Sequence, residues 1–326
     1  MKRSTRVLAF LFALLASGWC AGALYVDAPL APYAEHVAIG FVLVSLVLSQ
    51  LERGPGVAIV AWLCVVLWWV TLRPSNERDW VPDQACIATV HRGALELRIE
   101  NVRDFRWTSR TEAEERWIER TWRLDRLEGI DVLVSDWGSA HIAHTIVSWV
   151  WSDGAPPLSV SIEARRERGE TYHPLRGLYR QYELAYVVAD ERDLVTLRTQ
   201  HRGERMLLYR LDASPPLARR LLDAYLDEIA RLPEHPEWYH SLLRNCSTTT
   251  RHHVAAIGVS GTWDWRVLFN GHLDELFYAR GAVDTSVPFE ALRERSEITE
   301  RAIALSPDDP EFSLHLREGL PARPRD

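Results

Sequence analysis

Apolar stretches dominate the first 73 residues, and they constrain the chain more than any other feature of the sequence. Residues 7–25 and 54–72 are each 19 residues long and carry no charged side chain. A helix needs about 20 apolar residues to cross a bilayer. The stretch 37–51 is apolar but only 15 residues long, so it fits either a third crossing or a re-entrant, partly buried helix. We therefore predict a membrane anchor over residues 1–73, with helices near these three stretches.

Basic residues around the apolar stretches predict the orientation of the anchor. Lys2, Arg3 and Arg6 precede the first stretch, Arg53 lies in the second loop, and the first loop, 26–35, has no Lys or Arg. Because Lys and Arg are retained on the cytoplasmic side, three crossings would deliver the rest of the chain to the opposite side. The pattern predicts a bacterial inner-membrane protein whose soluble domain faces the periplasm. A cleaved signal peptide ending near Ala21-Gly22-Ala23 is the alternative.

The charge of the remainder excludes one class of partner. The whole chain has a net charge of −7, and residues 1–73 carry five basic and three acidic side chains, a net of +2, so the rest carries −9. Nucleic-acid binding needs a basic surface, and we expect no nucleic-acid partner. Two of the four cysteines, Cys86 and Cys246, lie outside the anchor. This is not a disulfide framework, although a single bridge between them stays open in an oxidising compartment.

The soluble region reads as strands followed by helices. Apolar alternation and β-branched residues predict seven strands. Two of them lie within 87–102, and the other five span 143–151, 158–164, 182–188, 194–198 and 206–211. The charged segment 111–122 is compatible with a helix. Ser214 and Pro215 predict a helix start, with a helix over 215–232 and a second helix from Cys246. We predict an α+β domain over 74–305, with a mostly antiparallel sheet packed on helices, and a loosely ordered tail over 306–326.

Cys246 is the first candidate for chemistry. If it opens a helix, the helix dipole and the free N–H groups favour its thiolate and could hold a tetrahedral oxyanion. A buried, inert cysteine is the structural alternative.

A cysteine nucleophile needs a base, and two histidines lie close to the predicted strand 143–151. His141 and His144 are three residues apart, so in a strand at most one of them points into a site. Glu163 on the returning strand could orient that imidazole. A solvated Glu163 and histidines that only cap the strand are the alternative.

Further histidines raise the possibility of zinc. His240, His252 and His253 flank Cys246 in the sequence. Adjacent histidines and one cysteine do not match a compact ligand spacing, so we expect neither a metal nor another cofactor.

Seven short stretches occur in a fixed order along the soluble region. They are Ile142-Ala143-His144-Thr145, Ile162-Glu163-Ala164-Arg165-Arg166, Arg180-Gln181-Tyr182-Glu183-Leu184, Asp190-Glu191-Arg192-Asp193, Pro236-Glu237-Trp238-Tyr239, Asn245-Cys246-Ser247-Thr248 and Asp264-Trp265-Arg266. Taken together, they resemble a bacterial family of membrane proteins related to the periplasmic domain of Lnb, a lipoprotein N-acyltransferase. The resemblance covers roughly residues 74–300. A histidine strand followed by an Asn-Cys helix start also resembles circularly permuted papain-like (NlpC-type) cysteine enzymes.

The resemblance implies a papain-like domain in which Cys246 is the nucleophile, His144 the base and Glu163 a third member. It implies a cysteine-dependent acyltransferase or hydrolase that acts on a membrane lipid, a lipoprotein or another envelope ester or amide. The better-known acyltransferases carry their membrane helices after the catalytic domain, whereas this chain carries them before it. A non-catalytic envelope binding or assembly module on the same fold is the alternative.

Overall fold

The computed structural model describes residues 3–51, 54–259 and 261–324, and its N-terminal part is helical. The helices there are α1 (Arg3–Asp27), α2 (Ala34–Gln50) and α3 (Gly54–Thr71). Two helices, Val7–Asp27 and Gly54–Thr71, are long and apolar enough to cross a membrane, and α2 is a shorter apolar helix. These helices fit a membrane-anchored protein. A crossing by α2 stays a prediction, and Arg53, which orients the anchor in the sequence argument, lies outside the described residues.

The rest of the chain is an α+β domain. Its strands are β1 (Thr89–Arg92), β2 (Glu96–Arg103), β3 (Arg106–Trp107), β4 (Ala113–Glu114), β5 (Trp117–Arg123), β6 (Leu127–Asp136), β7 (Ala143–Trp151), β8 (Leu158–Arg165), β9 (Glu183–Asp190) and β10 (Arg205–Arg210). Its helices are α4 (Glu191–Thr196), α5 (Pro215–Arg231), α6 (Cys246–Ala256), α7 (Leu273–Ala279), α8 (Phe289–Arg295), α9 (Thr299–Ala304) and α10 (Phe312–Leu316).

The main sheet has the order β1-β2-β9-β8-β7-β6-β10, with β5 paired to β2. The pairs from β9 through β8, β7 and β6 to β10 are antiparallel, and β2 meets β9 in parallel. Every residue of β7 is buried, as expected for a strand covered on both faces. Gly154, at φ +79°, allows the tight turn between β7 and β8. The prediction of a mostly antiparallel sheet is confirmed.

Helices cover both faces of this sheet. On one face, α5 and α6 pack on the central strands around Trp149, Tyr225 and Leu222. On the other face, α4, α9 and α10 pack around Leu133 and Ile146. The sequence predicts α5 and α6 correctly, because the apolar spacing of α5 and the Asn245 cap are local signals.

Two segments differ from their predicted secondary structure. The charged segment 111–122, compatible with a helix, instead contains β4 and β5. Trp122 is buried against the core and pairs with Leu97 of β2, so tertiary pairing overrides the helical propensity of the charged residues. The segment 194–198, predicted as a strand, is the end of α4 and the start of a π-helix over Leu197–Arg202. Asp190 caps α4 by accepting from the Arg192 amide, and this cap starts a helix where β-branched residues suggest a strand.

The C-terminal tail, predicted to be loosely ordered, packs on the sheet. Phe312 and Leu316 of α10 are buried in the core. Arg317 donates to Asp131 at 2.9 Å and to Glu191 at 2.6 and 2.7 Å, and Arg323 donates to Asp131 at 2.8 Å. Asp131 and Glu191 are fully buried, so the tail supplies the cations that two buried carboxylates need.

The anchor contacts the domain through the segment that precedes β9. The Arg180 guanidinium donates to the carbonyls of Trp69 and Leu72, at 2.7 and 2.6 Å, and lies 4.0 Å above the Trp69 ring. The Arg180 amide donates to Asp27, at the end of α1. A Cβ at Gly22 would overlap the Tyr179 hydroxyl, so glycine allows that ring to pack on α1. These contacts hold the domain at the ends of α1 and α3.

Candidate functional site

Cys246 is the first residue of α6 and is buried, with 6% of its surface exposed. Asn245 caps this helix, because its side chain accepts from the amides of Ser247 and Thr248 at 3.0 and 2.9 Å. The cap leaves the Cys246 amide at the open N-terminus of the helix, where N–H groups and the dipole favour negative charge. Both Cys246 and Cys86 are free thiols, and Cys86 is exposed, so the alternative disulfide is not formed.

The pairing of β7 and β8 brings the other two candidate residues together. Ile146 lies opposite Ser161 in this antiparallel pair. Continuing the register by two residues places His144 opposite Glu163. The His144 Nε2 atom and the nearest Glu163 oxygen are 3.4 Å apart. The spacing of the hairpin therefore gives the geometry that the sequence predicts for these two side chains.

Ser161 and Arg198 also contact Glu163, and neither was predicted from the sequence. The Ser161 hydroxyl lies 2.7 Å from His144 Nε2 and donates to Glu163 at 2.6 Å. Arg198, from the π-helix, donates to the same carboxylate at 3.1 Å. Ser161 could be found from the two-residue period of β8, which puts it on the same face as Glu163. Arg198 could not be found, because its segment was predicted to be a strand.

The charges of the site favour an ionised thiol. Burial raises the pKa of the Cys246 thiol, but a hydrogen bond and the positive charge of His144, with the Thr145 amide, outweigh burial and lower that pKa to about 6. Burial lowers the pKa of His144, but the charge of Glu163 and the hydrogen bond to Cys246 raise it to about 9. The pKa of Glu163 lies well below its ordinary value because His144 and Arg198 outweigh its burial. The directions of these shifts favour a thiolate paired with an imidazolium.

Asn270 connects the strand that carries His144 to the helix that carries Cys246. Its Oδ1 accepts from the Ala143 amide at 2.8 Å, and its Nδ2 donates to Ser247 Oγ at 2.8 Å and approaches Cys246 Sγ at 3.4 Å. A Cβ at Gly271 would lie 2.7 Å from the Ala140 carbonyl oxygen, so glycine lets this segment approach the start of β7. No spacing rule links Asn270 to the other residues, because it reaches the site from a separate loop.

A cleft of about 180 Å³ opens on the side of His144 and Glu163. The rings of Trp137 and His144 stack at 6.0 Å with an angle of 6° between their planes. Trp137 is partly exposed and Trp149 and Trp151 are buried in the core, so Trp137 alone of these three borders the cleft. The cleft is smaller than the several hundred Å³ that enclose a drug-sized ligand.

The other histidines do not join Cys246. His141 lies before β7 and its Nδ1 is 2.9 Å from Nε2 of His272, which contacts Glu275 at 2.7 Å. His253 is buried against the Tyr186 hydroxyl, at 2.6 Å, and burial lowers its pKa to about 4. Within residues 3–51, 54–259 and 261–324, no group of three or more His, Cys, Asp or Glu side chains is arranged to hold a metal ion.

Comparison with protein families gives a match that covers this site. A family model for the Lnb N-terminal periplasmic domain matches residues 113–271, from β4 to the loop that carries Asn270. Cys246, His144 and Glu163 all lie inside the matched segment. Comparison with curated proteins and with solved structures gives no match. The α+β domain of this chain is related, through residues 113–271, to the periplasmic domain of Lnb.

Proposed function

We propose that the protein is a membrane-anchored cysteine acyltransferase or hydrolase that works through an acyl-enzyme intermediate. Cys246 is the nucleophile, His144 the general base and acid, and Glu163 the residue that orients and charges the imidazole. The observation that carries the proposal is the geometry: Cys246 begins α6 within hydrogen-bond reach of His144, and the Glu163 carboxylate lies 3.4 Å from His144 Nε2.

The groups of the site have a place in each step of such a reaction. The Cys246 thiolate attacks an acyl carbonyl carbon, and the negative charge moves to the carbonyl oxygen. The Cys246 amide at the open end of α6 is the donor best placed to stabilise that oxyanion. The tetrahedral intermediate expels the leaving group, which takes a proton from the His144 imidazolium, and a thioester remains.

The second half of the reaction reverses these roles. An amine, a hydroxyl or water approaches the thioester and gives its proton to the now neutral His144. It attacks the carbonyl carbon, and the carbon–sulfur bond breaks to regenerate the thiolate. His144 Nε2 contacts Ser161 and Glu163, which leaves Nδ1 to face the sulfur. Asn270 is a positioning residue, because it holds the histidine strand against the cysteine helix.

A lipid or lipoprotein substrate suits the position of the domain. The contacts of Arg180 and Tyr179 hold the domain at the ends of two apolar helices, where acyl esters are abundant. A bacterial inner membrane with the domain in the periplasm fits this placement and the relation to a periplasmic domain. The small cleft is lined by His144 and Glu163 and not by Cys246, so we place neither the reacting carbonyl nor the acyl chain in it.

The proposal also concerns the type of fold and the alternative function. The order of a histidine strand followed by a cysteine helix supports a circularly permuted papain-like arrangement. A non-catalytic binding module is the second candidate, and it would not need Cys246 and His144 to lie within hydrogen-bond reach of each other, as they do here.

An acyl-transferring probe tests the proposal in membranes that contain the full chain. An alkyne-tagged fatty acyl thioester should label the wild-type protein through a bond that hydroxylamine cleaves, because the product is a thioester. Cys246→Ala and His144→Ala should each lower the labelling rate by about three orders of magnitude, as members of one catalytic unit do.

Two control variants test whether the loss of labelling is specific to Cys246 and His144. Cys86→Ala removes the other soluble-domain thiol and should keep full labelling, and His141→Ala should change it little. Unchanged labelling in Cys246→Ala would show that the nucleophile lies elsewhere.

A further inference from the structure

We propose that two apolar loops beside the site insert into the bilayer surface, so that Cys246 receives its substrate directly from the membrane. The loops are residues 173–178 and 240–244, here called the leucine loops. Their exposed leucines are Leu175, Leu242 and Leu243, at 64%, 51% and 70%. The inference rests on the membrane anchor and deepens the proposed function.

The leucine loops form one surface. The Ser241 amide donates to the Gly177 carbonyl at 2.8 Å, and the Ser241 hydroxyl donates to the Pro174 carbonyl at 2.7 Å. A Cβ at Gly177 would overlap the Ser241 hydroxyl, so glycine allows the loops to approach this closely. Ser241 therefore holds the two loops together, with Leu175 next to Pro174 and Leu242 next to Ser241 in the chain, so the leucines are not on independent loop tips.

This surface continues the anchor. The first leucine loop runs directly into Tyr179, which packs on Gly22 and Trp19 of α1. Gly22 precedes Asp27, the last residue of α1, by five residues, or about 7.5 Å along a helix. If α1 spans the bilayer, Tyr179 lies at interfacial depth, where tyrosine rings are favoured. Arg176 lies 5.7 Å from the Tyr25 ring, on the same side.

The second leucine loop leads into the catalytic helix. Asn245, which caps α6, donates from its side-chain amide to the Ser241 carbonyl at 2.7 Å. Leu243 precedes Cys246 by only three residues. An acyl chain bound among these leucines would stay in an apolar environment while its carbonyl reaches the sulfur. In water these leucine side chains are exposed to solvent, whereas a bilayer would surround them with apolar acyl chains.

Depth-dependent quenching tests the insertion without using catalysis. Full-length Cys246→Ser protein, reconstituted in phosphatidylcholine–phosphatidylglycerol vesicles, receives an environment-sensitive fluorescent amino acid at Leu243. The matched control carries it at Leu314, which is 62% exposed and lines a cleft with Gly154 at the opposite end of the sheet. Lipids with a nitroxide in the upper acyl chain should quench position 243 at least twofold and leave position 314 unchanged.

Two outcomes would overturn the inference. One is equal quenching at the two positions. The other is unchanged quenching of a fluorophore at Leu175 when Leu242→Asp and Leu243→Asp are introduced together, since the charges should withdraw the loops. Iodoacetamide labelling of Cys246 in a Cys86→Ser chain reports on the thiolate separately, so failure of the insertion is distinguishable from failure of the proposed chemistry.

Discussion

The proposed reactivity of Cys246 depends on four neighbours and not on the cysteine alone. Burial by itself raises a thiol pKa and gives an inert residue. Here His144 reverses that effect, and Glu163, with Ser161 and Arg198 around it, keeps His144 charged. The titration of the pair is therefore the most direct property to measure.

The pH dependence of alkylation should report the low thiol pKa. Below about pH 6 the thiol is protonated, and above about pH 9 the imidazolium loses its proton, so the ion pair exists between these limits. In a Cys86→Ser background, the rate of Cys246 alkylation by iodoacetamide should rise with a midpoint near pH 6. Acyl transfer should be fastest between about pH 6 and 9.

Removing the imidazole gives the decisive comparison. In His144→Gln the stabilising charge is lost while burial remains, so the alkylation midpoint should move above pH 9. Glu318→Gln, on an exposed surface, should leave the midpoint where it is in the parent. An identical midpoint with and without His144 would contradict the ion pair.

At the scale of elements, the C-terminal segment around α10 supports the strands that carry the site, although it lies far from them along the chain. Arg317 follows this helix and neutralises Asp131 of β6 and Glu191 of α4, which are both buried. β6 pairs with β7 along its whole length, so the tail supports the strand that carries His144.

Breaking this contact should be strongly destabilising. Arg317→Ala leaves two buried carboxylates without their main cation, which costs about 3–5 kcal/mol. The expected decrease in Tm is about 2–4 °C for each kcal/mol, measured by thermal unfolding of the purified full chain. Arg295→Ala, at an exposed position, should change the Tm by less than about 1–2 °C. Equal melting of the two variants would mean that the tail is not part of the folded domain.

At the scale of the whole molecule, the anchor and the domain act as one unit through Arg180. Its guanidinium joins the carbonyl ends of α3, and its amide joins the end of α1. The side of the membrane on which the domain lies depends on the orientation of α1 and on the number of crossings.

A reporter fusion tests the topology. Three crossings place the C-terminus outside the cytoplasm, so a periplasm-active reporter fused after Asp326 should be active. The same reporter fused after Gln50 should be inactive, because α2 would return the chain to the cytoplasm. Activity from only a cytoplasmic reporter after Asp326 would contradict the three-crossing arrangement.

The sequence by itself determined those features that depend on local patterns. Uncharged 19-residue runs predict the apolar helices, β-branched and aromatic residues predict β7, alternation predicts β8, and Ser214 with Pro215 predicts the start of α5. The sequence also named Cys246, His144 and Glu163 as candidates, but only the family resemblance chose His144 over His141, and their catalytic roles stay a prediction.

Only the tertiary structure decided the features that depend on distant partners. Strand β5 forms because β2 offers an edge, and the tail is ordered because Asp131 and Glu191 are buried without other sufficient cations. Asn270 and Arg198 reach the site from loops and helices whose positions no local spacing fixes. The physical reason is that burial and pairing are properties of the folded chain, and they outweigh local propensities of a few tenths of a kcal/mol per residue.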